Sequence, residues 1–284
     1  MRSSTTVVFC AIDNLISATG KALTGFPRFL DSLAESSVPC VWVTSRTRSQ
    51  LDSSIRKLAQ SEPFIAEGGS GVYLPEDYFH LKPAMTTRLG RFTCIPIASP
   101  PPAAREALEL LTEDSSVAVV PLRSLSPREL SQNTGLPQRE AELIRLRDFD
   151  ELFFFAGASD SDIARFQAMA TQRKLSLRAR GVFWSLAVGA SLSACTRELC
   201  KLYDRALRAH AFNVAIATSE EAPELFPACE HAILLADRSL VPDSSSRAAA
   251  LAIRSAARPV PRTFPLFSSD TWDLVLDTIL HRRF

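Results

Sequence analysis

The stretch VVFCAIDNLIS, residues 7–17, begins with an unbroken apolar run from Val7 to Ile12 and then meets a lone acid, Asp13. An apolar run of this length, closed by polar residues, is the pattern of a strand buried on both faces. VPCVWVTS (38–45) repeats it and ends on Thr44 and Ser45. Between the two lies GKALTGFPRFLDSLAES, with apolar residues at helical spacing, and after the second comes the polar-faced TRSQLDSSIRKLAQ. Buried strands joined through helices predict a parallel sheet covered on both faces. In such sheets the chemistry gathers at the carboxyl ends of the strands. Ala11–Leu15 and Thr44–Arg48 are therefore expected at one rim, where the first strand offers a methyl group at Ala11.

The same rhythm returns late in the chain. SACTRELCKLYDRALRAH reads as a helix, FNVAIATS as a strand, APELFPAC as a helix, HAILLAD as a strand and SDTWDLVLDTIL as a closing helix, with residues 241–265 partly irregular before it. The middle differs. Prolines open a helix at PPAAREALELL, SPRELSQNTG and PQREAELIRLR read as short helices divided by a Gly stop and a Pro start, and ELFFFAG, SDSDIARFQAMATQRK and LSLRARGVFWSLAVG read as strand, helix and strand pair. The predicted architecture is an α/β, Rossmann-like core over 1–86 and 187–284, interrupted by an inserted α+β module over 87–186.

The 284 residues, 46% hydrophobic, suffice for two modest cores, and a net charge of +1 leaves no electrostatic footprint for nucleic acid. The six cysteines lack CxxC spacing and sit in apolar settings, so they are expected to be reduced core thiols. No apolar run is long enough to span a bilayer and MRSSTTVVFC is too short for a signal peptide, so a cytoplasmic protein without a membrane partner is expected. The four histidines do not cluster and offer no metal triad.

Taken in order, EPFIAEGGSGVYLPEDYF (62–79), LSPRELSQNTGLPQREAELIRLRDFDEL (125–152) and GVFWSL (181–186) resemble the haloacid-dehalogenase-like phosphatases with a large inserted cap (type C2). Within them the likeness is to the mannosyl-3-phosphoglycerate phosphatase group. The resemblance implies a D-x-D-G-T loop after the first strand, whose first aspartate attacks phosphorus while the second serves as acid and base and Mg²⁺ neutralises the phosphate. Here the nucleophile position is Ala11, the acid/base position is retained as Asp13, and Asn14 and Leu15 replace Gly and Thr. Ser45 stands at the phosphate-binding hydroxyl, followed by Arg46, Thr47 and Arg48, although Ser and Thr also cap helices. Ser191, Leu192 and Ser193 stand where a lysine screens the nucleophile, and Arg197 farther on reads as a solvated helix residue. The metal-binding aspartates become Thr218 and Ala222. Glu220 and Glu221 nearby are expected to complement the dipole of the next helix. In the insert, Arg147 and Glu151 are kept, Leu152 replaces a proline, Val182 and Ser185 replace the Arg and His that face the sugar phosphate, and Phe183 and Trp184 read as packing residues.

Two expectations follow from that resemblance. The first is a catalytically degenerate phosphatase homologue without a cofactor. It would bind a partner, either an anionic small metabolite through Ser45, Arg46 and Arg147 or a related sugar-phosphate enzyme. The alternative is a Mg²⁺-dependent hydrolase of mannosyl-3-phosphoglycerate or a related sugar phosphate, rewired to use Asp13 as base with Glu220 or Glu221 on the metal.

Overall fold

The structure, a computed structural model, describes residues 5–80, 83, 85–236 and 259–284. Its main sheet has nine strands in the order β13-β12-β11-β1-β2-β3-β4-β6-β5. These are β1 (Thr6–Ala11), β2 (Cys40–Val43), β3 (Phe64–Ala66), β4 (Gly71–Leu74), β5 (Thr87–Leu89), β6 (Phe92–Pro96), β11 (Phe212–Ala217), β12 (His231–Ala236) and β13 (Arg262–Pro265). The six from β13 to β3 pair in parallel and β4, β6 and β5 extend the sheet antiparallel. β1, the opening stretch, lies between β11 and β2, which explains why every one of its residues is buried.

Alternate residues of β1 feed two apolar clusters, as the two-residue period of a strand requires. Val8 and Cys10 pack with Phe26, Phe29 and Trp272 from α1 (Phe26–Glu35) and the closing helix Thr271–Leu280. Val7, Phe9 and Ala11 pack with Leu199, Leu202 and Phe226 beneath the helix Leu192–Leu207. The helix α2 (Arg48–Lys57) starts where the sequence predicts: Thr47 accepts from the Gln50 N–H and Gln50 returns the bond, a reciprocal cap that fixes the exit from β2.

A second sheet, β7-β8-β10-β9, is wholly antiparallel: β7 (Val119–Pro121), β8 (Glu151–Phe155), β10 (Phe183–Val188) and β9 (Leu175–Arg180). With α3 (Pro101–Ser115), α4 (Pro127–Thr134), α5 (Gln138–Leu143) and α6 (Asp160–Gln172) it forms the predicted α+β insert. The sequence reading drew its start at residue 87, but β5 and β6 hydrogen-bond into the main sheet through β4, so the second sheet and its helices begin after them. The segment read as partly irregular falls mostly outside the described residues; its end, Arg262–Pro265, is an edge strand paired with β12. Among the described residues the last three helices are α7 (Leu192–Leu207), α8 (Ala222–Leu225) and α9 (Thr271–Leu280).

All six cysteines are free, five of them buried. Burial pushes the Cys94 thiol up to about 12, so it is inert at neutral pH. Among the described residues no helix is long and apolar enough to cross a membrane.

Candidate functional site

The parallel order β11-β1-β2 brings three loops together at one rim: the turn after β1 with Asp13, the turn after β2 with Thr44–Arg46, and the turn after β11 with Thr218–Glu221. Asp13 is the centre of the second loop's bonding. Its Oδ2 accepts from the Ser45 N–H at 2.7 Å and from the Ser45 hydroxyl at 2.6 Å, and its Oδ1 accepts from Thr44 Oγ1. Arg46 completes the ring of donors, with Nε 3.7 Å from Asp13 Oδ1. The same guanidinium donates to the carbonyls of Ser17 at 3.0 Å, of Asp13 at 3.4 Å and of Ile16. Ser45 and Arg46 therefore spend their donors inside the protein.

The third loop holds a relay of short polar contacts. Asn14 Nδ2 donates to Thr218 Oγ1 at 2.9 Å, and the Thr218 hydroxyl in turn donates to Glu221 Oε2 at 3.0 Å. Glu221 Oε1 is buried without a partner among the described residues. Burial first, and then the neighbouring Asp13 and Glu220 charges, push this carboxyl up to about 7 from its ordinary 4.5. The expected dipole role is not what the two glutamates do. α8 has four residues and starts at Ala222, Glu221 caps it without a side-chain bond, and Glu220, half exposed, pairs with Arg180 at 3.6 Å.

A raised carboxyl pKa makes a signed prediction. A carboxyl held near 7 in the fold and at 4.5 unfolded contributes stability that is fully present below 4.5 and is lost as pH rises through about 7. Glu221→Gln keeps an acceptor for Thr218 and removes the titration. Thermal melts are expected to show the variant more stable than wild type at about pH 8, with the gap closing toward about pH 5. A gap that widens toward acid contradicts the assignment.

The insert closes over this rim. Asp13, Ser45 and Arg46 from the sheet side face Arg147, Arg180 and Phe183 from the insert across a cavity of about 230 Å³, with Glu220 at its edge. Glu221 lies instead in an adjoining recess of about 40 Å³ with Arg178. Arg147 is nearly fully buried; it pairs through Nε and Nη2 with Asp150 and donates from Nη2 to the Ser45 carbonyl at 2.9 Å. Ala11, 3% exposed, lines neither cavity and belongs to the apolar cluster that includes Val43 and Leu192, two residues that wall the smaller recess. Ser191 caps α7 by accepting from the Ala194 N–H, Ser193 donates to the Glu224 carbonyl, and Arg197 is exposed as expected. Phe183 packs on Phe154 and also walls the cavity, whereas Trp184 packs on Phe155 alone among the aromatic rings.

Two participants escaped the sequence reading. Glu67, in the EGGSG turn, accepts from three consecutive backbone N–H groups of the insert: Asp148 at 2.7 Å, Phe149 at 2.9 Å and Asp150 at 3.1 Å. Burial and the adjacent Asp150 push it up to about 8, against the pull of Arg147 and the Asp148 N–H. The other is Arg180, which with Arg178 stands on one face of β9. The alternation in LRAR, two positions apart, is the signal that both would point the same way. Gly68, at φ 62°, leaves room for both: a Cβ there would lie 2.7 Å from each guanidinium.

No family model matches the chain. Two curated relatives do, each a glucosyl-3-phosphoglycerate/mannosyl-3-phosphoglycerate phosphatase. The one from Methanococcoides burtonii is 25% identical over 174 residues, 61% of this chain and 64% of the relative. The one from Persephonella marina is 25% identical over 159 residues, 55% of this chain and 56% of the relative. The match thus spans less than two thirds of either relative. Among solved structures, a haloacid dehalogenase-like hydrolase from Bacteroides thetaiotaomicron superposes with a TM-score of 0.60 at 11% identity, covering 99% of this chain and 100% of that one. With its parallel sheet, its inserted α+β module and these likenesses, the chain has the fold of the capped haloacid dehalogenase-like hydrolases.

Proposed function

We propose that this chain is a non-catalytic relative of the sugar-phosphate phosphatases, a binding or regulatory protein built on their fold. The observation that carries the reading is the state of the rim. The residue at the end of β1 is a methyl group packed into the core, and the one remaining acid of that loop, Asp13, is held by Thr44, Ser45 and Arg46. A methyl cannot attack phosphorus. In a hydrolase dissected residue by residue, losing one member of a cooperating catalytic unit costs on the order of 10⁴–10⁶ in rate.

The fold family implies a magnesium ion, and the donors here do not fit one. A hard cation needs several oxygens in near-ideal geometry. Asp13 has both oxygens engaged and a guanidinium beside it, Glu221 accepts a hydrogen bond from the Thr218 hydroxyl on one oxygen, and Glu220 lies beside Arg180. No group of three His, Cys, Asp or Glu among the described residues is arranged to hold an ion.

The purified protein is expected to turn over neither p-nitrophenyl phosphate nor mannosyl-3-phosphoglycerate with Mg²⁺ present, and Mg²⁺ is expected to leave its melting temperature unchanged. Mg²⁺-dependent turnover that disappears in Asp13→Asn favours the rewired hydrolase instead.

A further inference from the structure

The cations around the cavity differ in how far they are committed. Arg46 is bound to three carbonyls and to Asp13, Arg147 to Asp150 and the Ser45 carbonyl, and Arg178 to Glu224 and the Gly68 carbonyl. Arg180 is the exception. Among the described residues it makes no side-chain hydrogen bond, and its ion-pair partner, Glu220, stands 3.6 Å away and is itself 52% exposed. Its own side chain is only 16% exposed. A guanidinium carries five N–H donors and no acceptor, so a largely buried one facing an open volume has its donors unspent there.

The surroundings define what those donors suit. Ile144, Leu152 and Phe183 give the cavity an apolar wall on the insert side, where a sugar would leave its hydroxyls without partners. On the charge side, Arg46 offsets Asp13 and Arg147 offsets Asp150, which leaves one cation for a ligand once Glu220 swings out. A phosphate dianion would leave one of its two charges unbalanced by that single cation. A planar monoanion matches the guanidinium fork and needs no second charge.

We propose that the cavity binds a small monocarboxylic acid with an apolar body, its carboxylate on Arg180 and its carbon body against Ile144, Leu152 and Phe183. This deepens the non-catalytic reading and rests on it.

Calorimetric titration of the full chain with benzoate and with butyrate, without metal, tests it, with inorganic phosphate as the comparison. Saturable benzoate binding is expected. Arg180→Met should weaken it by about tenfold or more, the worth of a charge-assisted bond. Glu220→Gln, a change at a half-exposed site that leaves the fold intact, should tighten it by removing the competing carboxylate. The proposal is overturned if neither acid binds wild type, if Arg180→Met binds benzoate undiminished, if Glu220→Gln binds it more weakly, or if phosphate binds more tightly than benzoate. Turnover of a phosphate ester sinks the non-catalytic reading itself, whereas absent acid binding without turnover sinks the ligand assignment alone.

Discussion

Arg147→Met is expected to cost about 3–5 kcal/mol of stability, the range for removing one partner of a buried ion pair. Asp150, 2% exposed, would be left with the Ser185 hydroxyl at 2.6 Å and the neighbouring Glu67 carboxyl but no cation, and Glu67 would lose the guanidinium that pulls its proton off. The effect should reach beyond the pair, because Arg147 also donates to the Ser45 carbonyl and so joins the insert to the rim. Urea unfolding measures the loss, and a double-mutant cycle with Asp150→Asn apportions it. The double variant should fall well short of the sum of the two singles, since neutralising Asp150 removes the stranded charge. A loss below about 1 kcal/mol, the value of an exposed pair, contradicts this placement.

Phe149→Ala should be as severe, about 3–5 kcal/mol, for a different reason. Phe149 belongs by sequence to the insert, yet it is 5% exposed within the cluster that fills the main sheet's face, alongside Tyr73, Phe92 and Cys94. Gly71 makes the space: a Cβ there would lie 2.6 Å from the Phe149 ring. The phenylalanine is a plug, and the three amides donated to Glu67 fix the strand of chain that carries it. Its removal leaves a cavity between sheet and insert, so hydrogen exchange should accelerate at Asp148, Phe149 and Asp150 before it does in β1. Unchanged exchange at those amides, with a small loss of stability, would show that the insert does not depend on this anchor.

Long, strongly patterned elements were legible in the sequence. β1 and β2 declare themselves by unbroken apolar runs, α2 by its Thr47–Gln50 cap, and α4 by Ser126 with Glu129 and a closing Gly135. The strands β3, β4 and β5 have three or four residues each, too few for a period to show, and the insert's boundary was misplaced because β5 and β6 lie beside it in sequence while pairing with the core. At the rim the residue types were legible but not their allegiance. Ser45 and Arg46 look like anion donors when read in a line; folded, they are spent on Asp13 and on backbone carbonyls. Arg180 was passed over because an arginine in an edge strand has no distinguishing neighbour until the main sheet faces it.

This rim is expected to form no phospho-enzyme, and intact-protein mass spectrometry after incubation with Mg²⁺ and acetyl phosphate reads that outcome at the protein itself. The expected spectrum is the unmodified chain alone. A species heavier by one phosphoryl group, released by hydroxylamine as an acyl phosphate is and absent from Asp13→Asn, would contradict it.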